Sequence, residues 1–231
     1  MRILIDEGMS TLSGLAGIGH HSVQLWMSLQ KVTDCKITDF SYLKSLPRGI
    51  RRAVYMGISN IQALSNQFDI IHYQNHYSPL FRGKSKKVVT IHDLAAFRYP
   101  ETLPTTYRYY NQRAIRGAIM HADAILTRSN SVKQEVISMF PVFKEENVYV
   151  CEGGLREIFF EASPDEAAIR SFGIEPNSYF FFVGDITPRK NLQFLLRAFI
   201  KAKTNSLLSK ETVLVLAGKS MWIESGFRSL L

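Results

Sequence analysis

Short apolar runs recur along this chain, and most feed a segment in which apolar residues return every three or four positions. The first run covers residues 2–6 (RILID) and leads through a glycine-containing loop to a helical pattern holding Val23, Trp26, Met27 and Leu29. Further strands are predicted over 36–42, 69–73, 87–92, 124–128 and 148–151. Helices are predicted over 47–64, with Pro47 suited to the first turn, over 107–121, and from a cap at Ser129 or Asn130 to about Phe140. The strands read as continuous apolar runs rather than alternating ones, which is the pattern of strands covered on both faces. Repeated strand–helix alternation of this kind predicts an α/β fold: a doubly wound, Rossmann-like parallel sheet with ligands at the carboxyl ends of its strands.

The texture changes at Glu152. Residues 152–177 mix turns, acids and a short helical stretch, as an interdomain connection does. A strand then begins at Tyr179, a helix follows with Leu192, Leu195, Leu196 and Phe199 on one face, and residues 212–217 form another strand. The expected division is therefore a first domain over 1–151, a connection over 152–177, and over 178–231 the start of a second Rossmann-like domain. One strand–helix–strand unit is too small to stand alone, because parallel pairs need both faces covered. The second domain is thus expected to be cut short.

Composition narrows the function classes. The 231 residues are 46% hydrophobic and 12% aromatic, enough for a substantial core. Net charge is +8, which points to an anionic partner such as a phosphorylated ligand, an acidic membrane surface or nucleic acid. Cys35 and Cys151 are the only cysteines and make no disulfide framework or CxxC knuckle, in keeping with a reducing cytosol. Asp6 and Glu7 fall where a signal peptide needs its apolar core, and no uncharged run reaches the length of a membrane span.

The strongest candidate chemistry lies in FFFVGDITPRKNLQFLLRAF, residues 180–199. A buried strand runs to Gly184, and Arg189 and Lys190 then fall where Pro188 and Asn191 place a helix N-terminus. Two cations at the positive end of a helix dipole are unfavourable unless an anion sits there, so amides, dipole and cations together suit a diphosphate. The alternative is a solvated basic turn. The loop after the first strand carries Gly14, Gly17 and Gly19 ahead of a helix expected from about His20; its glycines allow close backbone approach to a ligand, or simply a tight connection. Its spacing is not the dinucleotide fingerprint. His92 and Asp93 end the VVTIHD strand, where His92 would bond substrate hydroxyls or move a proton, or else satisfy a loop backbone. His72 and His76 are not a metal pair, because four residues of extended chain separate side chains by about 13 Å.

The helix from Pro47 is expected to carry Arg48, Arg51, Arg52 and Tyr55 on one face and Ile50, Val54, Ile58 and Ile61 on the other. Such a basic face could lie on anionic lipid or be an ordinary solvated face. Lys84, Lys86, Lys87, Arg108, Arg113 and Arg116 extend the basic character of this half. Nucleic acid is not an expected partner, since basic-plus-aromatic recognition motifs are absent.

Taken in order, GLAGIGHHSVQL, FDIIHYQN, VVTIHDLAAFRYPE, ADAILTRSNSVKQEV, VYVCEGGLREIF, FVGDITPRKNLQFLLRAF and VLVLAG resemble glycosyltransferase family 4, retaining enzymes of the GT-B fold with two facing Rossmann-like domains. The bacterial members it looks closest to build lipopolysaccharide O antigen or other surface polysaccharides, several as mannosyltransferases. The resemblance implies a nucleotide-diphosphate sugar as donor substrate, no resident cofactor or metal, and a glycan or lipid-linked glycan as acceptor. It implies a cytoplasmic protein, peripheral at the inner face of the membrane. The Gly17–Gly19 loop would approach the donor diphosphate or the acceptor, His92 the donor sugar, and Lys190 the leaving diphosphate, with Gly184 ending the strand beneath it. Asp185 stands where many members carry the partner arginine, and Arg189 would replace it. The family's pair of glutamates late in the second domain has no counterpart before Leu231. Two other readings stay open: an inactive remnant or accessory module that keeps the acceptor domain, and a Rossmann-like nucleotide-sugar epimerase.

Overall fold

A computed structural model describes residues 1–6, 17–154, 158–161, 163, 165–219 and 227. The chain forms two compact units, Met1–Arg98 with Thr105–Arg156, and Tyr99–Pro104 with Glu157–Leu231.

The first unit runs β1 (Arg2–Asp6), α1 (Gly17–Leu29), β2 (Asp34–Ile37), α2 (Arg48–Leu64), β3 (Ile70–Tyr73), β4 (Lys86–Ile91), α3 (Ala95–Arg98), α4 (Thr105–His121), β5 (Ala124–Thr127), α5 (Asn130–Met139) and β6 (Val148–Val150). Its strands make one six-stranded sheet in the order β2-β1-β3-β4-β5-β6, and every pairing is parallel. The chain steps from β1 out to β2 and returns across β1 to β3, so the strand order reverses between β1 and β3. In an open α/β sheet that reversal leaves a crevice at the carboxyl ends.

Side chains alternate between the faces of a strand, and here the alternation sorts the layers. Ile3, Ile5 and Cys35 pack against Leu25, Trp26 and Leu29 of α1. On the other face Asp6, 1% exposed, accepts hydrogen bonds from Tyr55 Oη (3.2 Å) and Ser59 Oγ (3.0 Å) of α2. Ser129 caps α5, its Oγ accepting from Val132 N at 3.3 Å.

Three expectations need correction. The strand expected over 36–42 stops at Ile37, and Ser41–Ser45 turns into a 3-10 helix. The reason is packing: Phe40 and Leu43 are buried against Tyr55 rather than extended along the sheet edge. Helix α1 begins at Gly17, so Gly17 and Gly19 lie in its first turn rather than in the loop before it; Gly14 falls outside the described residues.

The third correction concerns α2. Its expected outward basic face turns inward, while Ile50 and Ile61 stay 54% and 70% exposed. Tyr55 is fully buried, because Asp6 and the Tyr77 carbonyl both take its hydroxyl as partner. Arg51 Nη2 donates to the carbonyls of Lys44 (2.7 Å) and Leu46 (2.9 Å), closing the end of the 3-10 turn. Arg52 lies over the Tyr110 ring, 3.4 Å from its centroid. Two of the three arginines thus serve the fold; the Arg48 side chain lies outside the described residues. Lys87 is also interior, 4% exposed, with Nζ donating to the Pro79 carbonyl, and burial lowers its pKa to about 8.

The second unit holds α6 (Ile158–Glu161), α7 (Glu166–Ser171), β7 (Tyr179–Val183), α8 (Leu192–Thr204) and β8 (Val213–Ala217). β7 and β8 pair in parallel, in register from Tyr179↔Val213 to Val183↔Ala217. α8 covers one face through Leu192 and Leu196, which pack with Phe227, Phe182, Ile186, Leu214 and Leu216. Leu195, expected on that face, sits at its rim, 37% exposed. The opposite face presents Phe181 and Val183, 59% and 72% exposed.

Candidate functional site

At the carboxyl edge of the first unit, the β3 and β4 chains place polar side chains in a row. His72 and Gln74 are two residues apart, as are Thr90 and His92, so each pair shares a face. His72 Nε2 meets Thr90 Oγ1 at 2.8 Å, and Gln74 Nε2 meets His72 Nδ1 at 3.0 Å. The same amide nitrogen lies 3.4 Å from His72 Nε2, so Gln74 and Thr90 between them engage both ring nitrogens. His92 Nε2 lies 2.7 Å from the Gln74 carbonyl oxygen, which can only accept. Nε2 is therefore the donor, and Nδ1 is a bare acceptor nitrogen with no hydrogen-bond partner among the described residues. Of the two alternatives weighed for His92, the structure shows the loop-backbone contact, made through Nε2.

α1 brings His21 over this row. Its ring lies edge-on to that of His92 with centroids 6.3 Å apart. Arg128, directly after β5, places Nη1 at 2.6 Å from His21 Nδ1 and 2.7 Å from His21 Nε2. Burial first, then the Arg128 charge and then His92, lower the His21 pKa to about 4. Burial dominates for His72, lowered to about 3, and also lowers His92. All three imidazoles are neutral near pH 7, and the cation in their midst is Arg128. The backbone of Gly153 lies against its guanidinium: a Cβ there would stand 1.7 Å from Nη2. Gly17 and Gly19 belong to this unit as well, in the first turn of α1, whose opening amides have no partner within the helix. His76 bonds elsewhere, to Asn111 Oδ1 at 2.8 Å.

Gly184, Arg189 and Lys190 fall in the second unit. β7 ends at Val183, and Gly184 follows with φ 149°, a conformation that excludes most side chains. Gly218 follows β8 so closely that a Cβ on it would lie 1.8 Å from the Gly184 carbonyl oxygen. Pro188–Lys190 is a single 3-10 turn, and Asn191 in the left-handed region (φ 50°, ψ 39°) redirects the chain into α8. The expected juxtaposition of two cations with a helix start is present. Both side chains are exposed, and among the described residues neither makes a hydrogen bond or ion pair.

A cavity of about 370 Å³ opens at the opposite, amino edge of the six-stranded sheet, lined by Arg2, Ile3, Asp34, Lys36, Gln67 and Phe68. Arg2 is already paired with Asp69 there at 3.3 Å. The carboxyl edge, where the polar groups converge, is the better candidate.

The model of glycosyltransferase family 4 matches residues 26–155, more than half of the chain. The chain belongs to glycosyltransferase family 4. The matched stretch contains His92, Arg128 and Gly153; the Lys190 turn lies beyond it. O-antigen chain mannosyltransferase B of Escherichia coli is 26% identical over 159 residues, which cover 66% of this chain and 39% of that protein. Alpha-maltose-1-phosphate synthase of Mycolicibacterium smegmatis is 24% identical over 205 residues, 79% of this chain and 53% of that protein. The chain thus spans between 39% and 53% of the length of these relatives. Among solved structures, HepE of Anabaena in complex with UDP matches with a TM-score of 0.65 at 15% identity, covering 99% of this chain and 64% of that one. The same protein with UDP-glucose gives a TM-score of 0.64. At that identity the likeness is one of fold, the GT-B glycosyltransferase fold.

His21, Gln74, Arg128 and Gly153 were not singled out as site residues from sequence. Arg128 carried a usable signal, since it ends a strand of a doubly wound sheet on the side where ligands bind. His21 carried none until α1 was laid over β3 and β4.

Proposed function

We propose that this family 4 chain transfers a hexose from a nucleotide-diphosphate sugar to a glycan or lipid-linked glycan acceptor, with retention at the anomeric carbon. The observation that carries the reading is the turn after Gly184, where Arg189 and Lys190 stand exposed and unpaired among the described residues at the start of α8. Breaking the bond between sugar C1 and phosphate places negative charge on the leaving diphosphate. Fixed cations and first-turn amides stabilise that charge more in the transition state than in the ground state. His92 would hold a donor-sugar hydroxyl through its bare Nδ1. Gly17 and Gly19, in the first turn of α1, would lend amides to a phosphate or to the acceptor.

Mannose as the sugar and a surface polysaccharide as the acceptor are supported by the relative named as an O-antigen mannosyltransferase. A nucleotide sugar as donor is supported by the neighbour solved with UDP and with UDP-glucose. A lipid-linked acceptor would place the protein at the cytoplasmic face of the membrane. Among the described residues no helix is long and apolar enough to cross it.

The test is incubation of the protein with a panel of sugar nucleotides, with and without a lipid-linked oligosaccharide acceptor, followed by NMR of the product anomer. Acceptor-dependent release of nucleoside diphosphate and a product of unchanged anomeric configuration are expected. An altered sugar nucleotide formed without acceptor would indicate an epimerase, and an inverted product would remove the retaining assignment.

A further inference from the structure

We propose that Arg128, held between His21 and Gly153, is the receptor for a phosphate-type oxyanion carried by a substrate of this protein. The assignment rests on the geometry of the first unit and not on sugar transfer, so a chain without transferase activity would still show it.

Among the described residues the charge at this site lacks an answer. Arg128 is half-buried, and among the described residues no carboxylate comes within ion-pair distance of it. Asp93, Glu135 and Glu152 do not pair with it among the described residues. Asp93 Oδ1 accepts from the Ala95 amide at 3.0 Å, Glu135 pairs with Arg98 at 3.5 Å, and Glu152 is exposed with no ion pair among the described residues. A partly buried guanidinium without a counter-ion is costly unless a ligand supplies one.

The partner it does have is poorly matched. Nη1 stands almost equally far from both nitrogens of His21. A neutral imidazole offers one lone pair and one N–H. One of the two contacts therefore sets a donor against a donor. An oxyanion that moved the two side chains apart would accept from the guanidinium and from the His21 N–H together, turning the mismatch into two charge-assisted bonds. It would also reverse the low His21 pKa of about 4, which burial and the Arg128 charge produce.

Backbone and helices favour the same ligand. Gly153 lets the guanidinium approach the main chain end-on through Nη2, where a side chain would displace it. Arg128 precedes the Ser129-capped start of α5, a helix of ten residues with no acid in its first turn. His21 sits in α1, which likewise has none. Both helix ends add positive potential and neither brings a competing carboxylate. A planar fork at a strand end, with a second donor beside it, matches phosphate geometry.

The same anion could come from the diphosphate of a donor or from a phosphate on an acceptor. Calorimetric titration of the 231-residue protein with pyrophosphate, a nucleoside diphosphate and a sugar 1-phosphate distinguishes them, with the His21 ring protons followed by NMR. The wild-type protein should bind at least one of these ligands with a shift of the His21 resonances. Arg128→Gln should weaken that ligand about tenfold or more, and Arg128→Lys less. Gly153→Ala, which keeps the guanidinium and displaces it, should weaken the same ligand. Loss confined to the sugar phosphate assigns the anion to the acceptor, and loss confined to the nucleoside diphosphate assigns it to the donor. Equal affinities in wild type and Arg128→Gln, for every ligand, would overturn the proposal. So would ligand binding that leaves the His21 resonances unmoved.

Discussion

His92 is tied to the fold through one ring nitrogen only. Its Nε2–H is committed to the Gln74 carbonyl, which fixes the ring and leaves Nδ1 as an acceptor. His92→Ala removes this bond together with the proposed sugar contact, and the structural loss is modest, about 1 kcal/mol for one lost hydrogen bond. The expected result is a fall in sugar transfer of about a hundredfold, with little change in binding of free nucleoside diphosphate. Calorimetric titration beside rate measurement separates these, and equal losses in both would mark a purely structural histidine. Gly218 gives a sharper prediction of stability. A Cβ there would collide with the Gly184 carbonyl, so Gly218→Ala should cost about 2 kcal/mol or more and loosen the turn that carries Arg189 and Lys190. Urea denaturation checks it, and a neutral substitution would mean that the two strand ends separate easily.

At the scale of elements, α2 separates what pattern reveals from what it hides. The helix itself was plain in the sequence, and so were the strands, because a parallel sheet covered on both faces demands continuous apolar runs. Ser129 was legible as a cap for an equally local reason. The orientation of α2 was not, because long cationic side chains count as exterior in any hydropathy pattern, yet their stems pack and their heads reach carbonyls. Arg51 and Arg52 do this, and the buried hydroxyls of Tyr55 and Ser59 answer Asp6 on a strand far away in sequence. Replacing Arg51 and Arg52 with Gln should therefore lower the melting temperature and leave affinity for anionic vesicles unchanged. Salt-sensitive vesicle binding abolished by that change would restore the outward basic face. Tyr55→Phe should cost about 1–2 kcal/mol, since Asp6 and the Tyr77 carbonyl both lose a buried partner. The start of α1 was hidden for a different reason. Gly17 and Gly19 read as loop by propensity, although the structure holds them in the first helical turn. The pairing of His21 with Arg128 joins residues 107 apart and exists only once the sheet order places β5 beside β4.

For the whole molecule, the neutral interior histidines make stability depend on pH. His72 and His76 have folded-state values lowered to about 3 and about 4, chiefly by burial, against about 6.5 in an unfolded chain. Between about pH 6.5 and 4 the unfolded state takes up protons that the folded state refuses, so stability is complete above this window and falls on acidification. By pH 5 each of the two should have cost about 2 kcal/mol, and His72→Gln should flatten the dependence. Chemical denaturation at pH 7, 6 and 5 reads this directly, and a flat profile would mean that these rings are solvated. The central claim is that the turn after β7 receives the diphosphate of a nucleotide sugar. Its most direct test is titration of the protein and of its Lys190→Ala variant with nucleoside diphosphates and their sugar derivatives. The account predicts that the variant loses about tenfold to a hundredfold in affinity, that Arg189→Ala loses less, and that both remain folded. Equal affinity in the wild-type protein and the Lys190→Ala variant would contradict it.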